Sequence, residues 1–151
     1  MIIVHVTSQG SKQGKTTIAS RLIRKLVAAG ARVCAVKHSH HTLDIRDKDT
    51  HRLHGMGSKI TLGIGTGELL VKTSDLDPIM GFLWETMSKE CDYVVVEGFK
   101  ESLPHPLVGK ASALVGIRVK DGRPQAVEPL LPGSESEKEA IRLKNLLENP
   151  G

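Results

Sequence analysis

The apolar run Ile2-Ile-Val-His-Val6 opens the chain. It lacks the polar alternation of a half-exposed strand and reads as a buried strand of a parallel sheet. The period then changes. Ile18, Leu22 and Leu26 recur at helical spacing, with Ile23 and Val27 beside them and Ser20, Arg21, Arg24 and Lys25 turned outward. This pattern predicts a helix over 15–29, with Gly30 as its C-cap. Arg32-Val-Cys-Ala-Val36 reads as a second strand, completing a βαβ unit with a right-handed crossover.

Residues 38–57 are polar, and a short helix from about Asp49 to Met56 is expected there. Two strands follow, Ile60 to Ile64 and Glu68 to Lys72, joined by Gly65-Thr-Gly67 as a hairpin. Asp77-Pro78 marks a helix start, with Asp77 as N-cap and Ile79, Leu83 and Met87 on the inner face. Asp92 to Gly98 is the next strand, apolar enough for the centre of a parallel sheet. Pro104-His-Pro106 reads as irregular loop, Ala113 to Val119 as a strand and Lys120 to Pro124 as a turn. Ser136 with Glu139 has the spacing of a capping box for a last helix, whose Ala140, Leu143, Leu146 and Leu147 pack inward. The alternation predicts an α/β fold with helices on a mostly parallel sheet, in a single domain of 1–151. Ligands then belong at the carboxyl ends of the strands.

Composition narrows the class. The chain is 39% hydrophobic and 25% charged, with 3% aromatics, so aliphatic residues build the core. No apolar run approaches the roughly 20 residues of a membrane helix, and the apolar N-terminus is too short for a signal peptide. Cys34 and Cys91 edge apolar runs without metal-type spacing. They are expected to be buried, reduced thiols of a cytoplasmic protein. The net charge of +4 favours polyanionic ligands. No RNA-binding aromatic signature is present, which argues against nucleic acid. Arg21, Arg24, Lys25 and Arg32 read first as a solvated face.

The chemistry concentrates in Gln9-Gly-Ser-Lys-Gln-Gly-Lys-Thr-Thr17, between the first strand and first helix. Strand, Gly-rich turn, Gly-Lys-Thr and helix are the parts of a phosphate-binding P-loop. The backbone N–H groups of Gly10, Ser11, Lys12, Gln13 and Gly14 can wrap a polyphosphate, and the helix directs its positive end at it. Lys15 would reach the β- and γ-phosphates, and Thr16 would offer a hydroxyl to Mg²⁺. The usual first glycine falls at residue 9, where this chain has Gln9, with Gly10 adjacent.

Glu97 ends a buried strand, and Gly98 lets the backbone turn close to a ligand. Mg²⁺ takes oxygen ligands and keeps several waters, so Thr16 with one or two carboxylates is enough. Asp47 and Asp49, and less strongly Asp44, are further carboxylates in reach of that role. Lys37-His-Ser-His-His41 follows the second strand. It is open to a phosphate or pterin contact, a transition-metal site or a subunit contact. No guanine-reading Asn/Thr-Lys-x-Asp is present, so the residues leave base choice open.

Taken in order, Gly14-Lys-Thr-Thr17, Val36-Lys-His-Ser-His-His41 with Asp44, Lys48-Asp-Thr50 with Arg52, and Val96-Glu-Gly-Phe-Lys100 resemble the MobB family of molybdopterin-guanine dinucleotide biosynthesis adaptor proteins. The resemblance covers residues 1 to about 100. It implies a P-loop NTPase-like protein that binds GTP with Mg²⁺, hydrolyses it slowly and assists a MobA-type nucleotidyltransferase acting on molybdopterin. It also implies a homodimer. By position, Gly14, Lys15, Thr16 and Thr17 would hold phosphates, and Thr16, Asp49 and Glu97 would serve Mg²⁺. Lys37, His38, His40 and His41 would form the signature loop. Gln9 and Asp47 depart from the family pattern. The alternatives are a metal-delivery GTPase using the His-rich loop and a small-molecule kinase or ligase resembling dethiobiotin synthetase.

Overall fold

In a computed structural model, residues 1–41, 43 and 49–150 are described. The chain divides into two compact units, Met1–His38 with Leu83–Gly151, and Ser39–Phe82.

The larger unit is built on a five-stranded sheet. β1 (Ile2–Thr7) lies at its centre, between β5 (Tyr93–Glu97) and β6 (Ala113–Lys120). β2 (Val33–Lys37) flanks β5 at one edge and β7 (Arg123–Pro129) flanks β6 at the other. β2, β5, β1 and β6 are parallel, and β7 runs antiparallel to β6. The apolar runs of β1 and β5 are buried through their middles, as strands with both faces covered must be.

One face carries Val4, Val6, Tyr93, Val95, Val115, Ile117 and Val119. It packs against α1 (Lys15–Ala28) through Ile18, Leu22 and Leu26, and against α5 (Ser134–Glu148) through Ala140, Leu143 and Leu147. Alternation sends Ile3, His5, Val94 and Val96 to the opposite face, and these too are buried. α3 (Asp77–Glu90) and the short α4 (His105–Val108) contribute the buried Trp84 and Leu107. The expected α/β architecture, a mostly parallel sheet flanked by helices, is the one observed.

The end of α1 follows the sequence closely. Gly30 has φ +88°, its N–H donates to Val27 O, and Ala31 N–H donates to Leu26 O. The two bonds form a Schellman closure, which needs the left-handed residue that glycine supplies.

Other expectations are corrected. The residues after the Lys120 turn form β7, with Pro124 paired to Val119. β7 is an edge strand, where proline costs no ladder bond on its open side. Pro104-His-Pro106 is not irregular throughout. Pro104 O accepts from Leu107 and Val108, and the segment closes one helical turn. Asp77 is the first residue of α3 rather than its cap, and the Asp75 carboxylate accepts from Asp77 N–H. The expected capping box is absent, because α5 begins at Ser134 with Gly133 at the N-cap. Ser136 is buried instead, and its Oγ accepts from Leu114 N–H on β6 at 3.2 Å. Glu139 accepts from the Tyr93 hydroxyl at 2.8 Å, and burial together with that carboxylate pushes the phenol up to about 12.

Two of the basic residues read as a solvated face are anchors. Lys25 is buried, and its Nζ donates to the carbonyls of Leu146, at 2.7 Å, and Asn149 at the end of α5. Arg21 donates to Leu147 O at 2.7 Å. Cations therefore meet the orphan carbonyls and negative dipole end of α5. Arg32 pairs with Asp92 at 3.0 Å, tying the starts of β2 and β5 together. Cys34 of β2 and Cys91 after α3 are joined as a disulfide, with Cα atoms 6.0 Å apart, where two reduced thiols were expected. Adjacent β2 and β5 bring their strand starts together, and with them the two cysteines.

The smaller unit holds α2 (Asp49–Gly55) and the hairpin of β3 (Ile60–Gly65) with β4 (Glu68–Thr73). Gly67 at the turn has φ +73°. One face of the hairpin meets α2. His54 Nδ1 lies 3.3 Å from Thr61 Oγ1, Lys72 Nζ lies 3.0 Å from His51 Nδ1, and the Gly63 backbone approaches Thr50. The register places Leu62 opposite Val71 and Ile64 opposite Leu69 on the other face, where Ile60, Leu62, Ile64 and Leu69 are all exposed.

Ser136→Ala removes the acceptor of a buried backbone N–H. The expected cost is about 1–3 kcal/mol, read as a lower urea midpoint at unchanged slope. An unchanged midpoint refutes this role.

Candidate functional site

β1 delivers its chain to the phosphate loop at the carboxyl edge of the sheet. Lys12, at φ 57°, and Gly14, at φ +88°, both take the left-handed conformation that curls this loop. Gly14 is required twice over. A Cβ there would lie 2.6 Å from the Gly122 Cα, so the loop and the β6–β7 turn touch backbone to backbone. Gln13 fastens the same contact. Its main-chain O accepts from Gly122 N–H at 2.8 Å, and its Oε1 accepts from Asp121 N–H at 3.1 Å.

Gly14 O accepts the first helical bond, from Ile18 N–H. The free N–H groups of the α1 first turn therefore face the loop, carrying the partial positive charge of a helix N-terminus. Lys15 extends back over the loop, donating to Ser8 Oγ at 3.1 Å, with Gly10 O at 3.5 Å. Thr16, the second residue of α1, donates its hydroxyl to Glu97 Oε1 at 2.8 Å, with Oε2 at 3.0 Å. Ser11, Lys12, Thr16 and Thr17 are exposed.

Glu97 ends β5 next to β1, where it is in register with Val6 on one side and Lys37 on the other. The corner after it is held by both neighbours. His38 N–H donates to Glu97 O at 2.9 Å, and His5 Nε2–H donates to Gly98 O at 2.6 Å. Gly98 has φ +104°, and a Cβ there would meet His38 O at 2.6 Å. Phe99 has φ 50° and stacks on the His38 ring at 4.2 Å between centroids.

The oxygen set fits Mg²⁺. A hydroxyl and a carboxylate converge beside the Gly-rich loop, and Mg²⁺ takes such oxygen ligands together with several waters. Held there by Thr16 and Glu97, the ion would offset the negative charge of a bound polyphosphate. A cavity of about 240 Å³ adjoins the loop on the β6 side, bounded by Ser8, Gln9, Lys100, Arg118 and Lys120. Its basic rim suits an anionic group.

The structure thus brings Gly10, Ser11, Lys12, Gln13, Gly14, Lys15, Thr16, Thr17 and Glu97 together, with Lys37 and His38 at the neighbouring strand end. Asp49, His40 and His41 belong to the other unit. There Asp49 opens α2, and His41 N–H donates to Ser39 Oγ at 3.1 Å. Asp44 and Asp47 lie outside the described residues. Among the described residues, no three His, Cys, Asp or Glu side chains gather as metal ligands, and no helix is long and apolar enough to cross a membrane. Sequence reasoning missed His5, Ser8 and the Asp121-Gly122 turn. A histidine inside an otherwise apolar strand was the visible signal for the first. The others depend on contacts between distant segments.

A parallel sheet with Gly-Lys-Thr after its central strand and an acidic corner on the adjacent strand defines a P-loop NTPase-like α/β domain. A family model described as molybdopterin guanine dinucleotide synthesis protein B, MobB, matches residues 2–110, and the chain belongs to that family. Two relatives named molybdopterin-guanine dinucleotide biosynthesis adapter protein are similar over 60% of this chain. The Haemophilus influenzae protein is 33% identical over 95 residues, 53% of its length. The Escherichia coli K12 protein is 34% identical over 96 residues, 55% of its length. The chain spans about half the length of the curated relatives it matches. Among solved structures, Bacillus subtilis MobB aligns over 98% of this chain and 99% of its own at 21% identity, with a TM-score of 0.47.

His5 supplies a check on the corner. Burial lowers its pKa below the usual 6.5, against a smaller opposing effect of the Gly98 carbonyl. A histidine whose folded pKa is lowered favours the folded state above the unfolded pKa, and that contribution is lost as pH falls through the folded value. NMR titration of the His5 ring should give a midpoint below 6.5, with stability declining as the ring protonates. A midpoint above 6.5 contradicts the burial argument.

Proposed function

We propose that this chain is a GTP-binding accessory protein of molybdopterin guanine dinucleotide synthesis, with slow Mg²⁺-dependent GTP hydrolysis. It acts in the cytoplasm as one nucleotide-binding domain, residues 1–151, and assists a MobA-type nucleotidyltransferase that works on molybdopterin. The observation that carries the nucleotide part is the Thr16–Glu97 contact beside the Gly14-Lys15 loop. Family membership supports the pathway, and GTP is the nucleotide that the resemblance implies. Lys15 and the loop N–H groups would bind the β- and γ-phosphates, with Thr17 adding a hydroxyl. Thr16, Glu97 and Asp49 would serve Mg²⁺. Lys37, His38, His40 and His41 would contact phosphate or pterin. Slow turnover fits the lack, among the described residues, of an evident arginine finger or water-orienting glutamine.

Calorimetric titration with GTP, ATP and CTP in Mg²⁺, repeated with molybdopterin, tests this reading. GTP preference with a pterin effect supports it, and ATP preference without one refutes it. Lys15→Ala removes charge-assisted bonds to phosphate and should weaken triphosphate binding by roughly 10- to 100-fold with the fold intact. Glu97→Gln should weaken binding in Mg²⁺ and leave Mg²⁺-free binding nearly unchanged. Equal losses in both buffers would assign Glu97 a structural role.

The partner in a homodimer is proposed to cover the exposed apolar face of the β3–β4 hairpin, since alternating Ile60, Leu62 and Ile64 form a contiguous patch in water. Ile64→Asp with Leu62→Asp should shift the protein to monomer in sedimentation velocity. A dimer that survives both changes refutes this surface.

A further inference from the structure

Glu97 is aimed by a backbone corner, and that corner takes a conformation few side chains tolerate. Gly98 and Phe99 are both left-handed, at φ +104° and φ 50°. For Phe99, whose Cβ crowds the following carbonyl in this region, the conformation is strained. Such strain persists only where the surroundings over-determine it. Three contacts do so here. His38 N–H holds the Glu97 carbonyl, the His38 ring stacks on Phe99, and His5 Nε2–H holds the Gly98 carbonyl at 2.6 Å.

The third is unlike the others because of where it comes from. His5 sits at 8% exposure in the central strand, between apolar Val4 and Val6, in register with Val96 and Gly116. An aliphatic residue there would continue the core without a polar group to satisfy. Burying an imidazole instead disfavours its charged form and demands a partner. Its hydrogen bond spans 93 residues of sequence, from the β1 face to the turn leaving β5. Glu97 is the residue just before that turn, and its carboxylate meets Thr16.

We propose that His5 is a positioning residue for the metal-side carboxylate: its Nε2–H pins the Gly98 carbonyl, locks the Glu97–Phe99 corner in its left-handed form and so directs Glu97 at Thr16. The proposal rests on the reading of Thr16 and Glu97 as Mg²⁺ ligands, and it gives the central strand a part in the site beyond carrying the phosphate loop. The donor is the neutral ring's Nε2–H, so the Gly98 carbonyl also sets the tautomer.

The test pairs His5→Leu, which keeps the bulk and deletes the donor, with His5→Gln, whose terminal amide can place a donor near the Nε2 position. Two readouts are taken on folded protein of matched thermal stability. The first is made without nucleotide: backbone ¹³C shifts of Gly98 and Phe99, with the His5 Nε2–H resonance and its coupling to the Gly98 carbonyl in the wild type. The second is the ratio of GTP affinities with and without Mg²⁺.

The wild type should show the protected Nε2–H. His5→Leu should move the Phe99 shifts away from left-handed values and cut the Mg²⁺-dependent gain in affinity about fivefold, the loss of one hydrogen bond's worth. Mg²⁺-free affinity should be unchanged, and His5→Gln should retain both properties. An unprotected ring N–H in the wild type overturns the proposal, even if His5→Leu fails to fold. Left-handed Phe99 shifts and full Mg²⁺ dependence in His5→Leu overturn it equally. A wild type that binds no GTP overturns the nucleotide reading instead, while the nucleotide-free shifts still decide whether His5 holds the corner.

Discussion

The parallel pairing of β1 with β5 is the constraint on which the site depends. It sets Val6 opposite Glu97, so the strand that ends in the phosphate loop and the strand that ends in the acidic corner finish level with each other. A shift of one residue would turn Glu97 to the other face of the sheet, because side chains alternate with period two. The register is secured by burial on both faces. Val4, Val6 and Val95 face α1 and α5, while Ile3, Val94 and Val96 face the opposite layer. Given that register, Thr16 on the first turn of α1 meets Glu97 without further adjustment.

Strain gathers where the strands end. The described non-glycine residues with positive φ are Lys12 in the phosphate loop, Phe99 at the acidic corner and Asp121 in the β6–β7 turn. All three lie at the carboxyl edge of the sheet, and contacts from elsewhere in the chain hold each region. Gly14 abuts Gly122, Gln13 bonds the Asp121-Gly122 turn, and Gly98 abuts His38. The site is therefore preorganised by contacts between loops, and at Gly14 and Gly98 the backbones approach so closely that a methyl group would disturb them. A scaffold rigid in its sheet can hold such loops, and the amphipathic helices supply that rigidity by covering the faces.

The basic residues show how easily charge is misread. Arg21 and Lys25 have the spacing of a solvated helix face, yet they reach the last carbonyls of α5, more than 120 residues away. Their charge is used at a helix C-terminus rather than on a ligand. Lys100, beyond the end of β5, and Arg118 and Lys120 of β6 instead rim one cavity beside the phosphate loop. Serine and glutamate at capping-box spacing were likewise diverted. Ser136 satisfies a strand amide and Glu139 a buried tyrosine, because α5 starts earlier and lies against the sheet.

Local chemistry sufficed wherever one segment determined its own state. The βαβ opening, the Gly-rich loop with Lys15 and Thr16, the Gly30 helix ending, the hairpin and the apolar strand closing on Glu97 were all legible in the sequence. Each rests on periodicity or on a residue type with a single conformational advantage. β7 was not legible, because an edge strand bearing Pro124 and Pro129 owes its state to pairing with β6. The Cys34–Cys91 pairing, the seat of Ser136, the Gly14–Gly122 contact and the bond from His5 to Gly98 were not legible either. All of them join residues remote in sequence, and only the packing of a twisted sheet between helices decides which distant groups arrive within bonding distance.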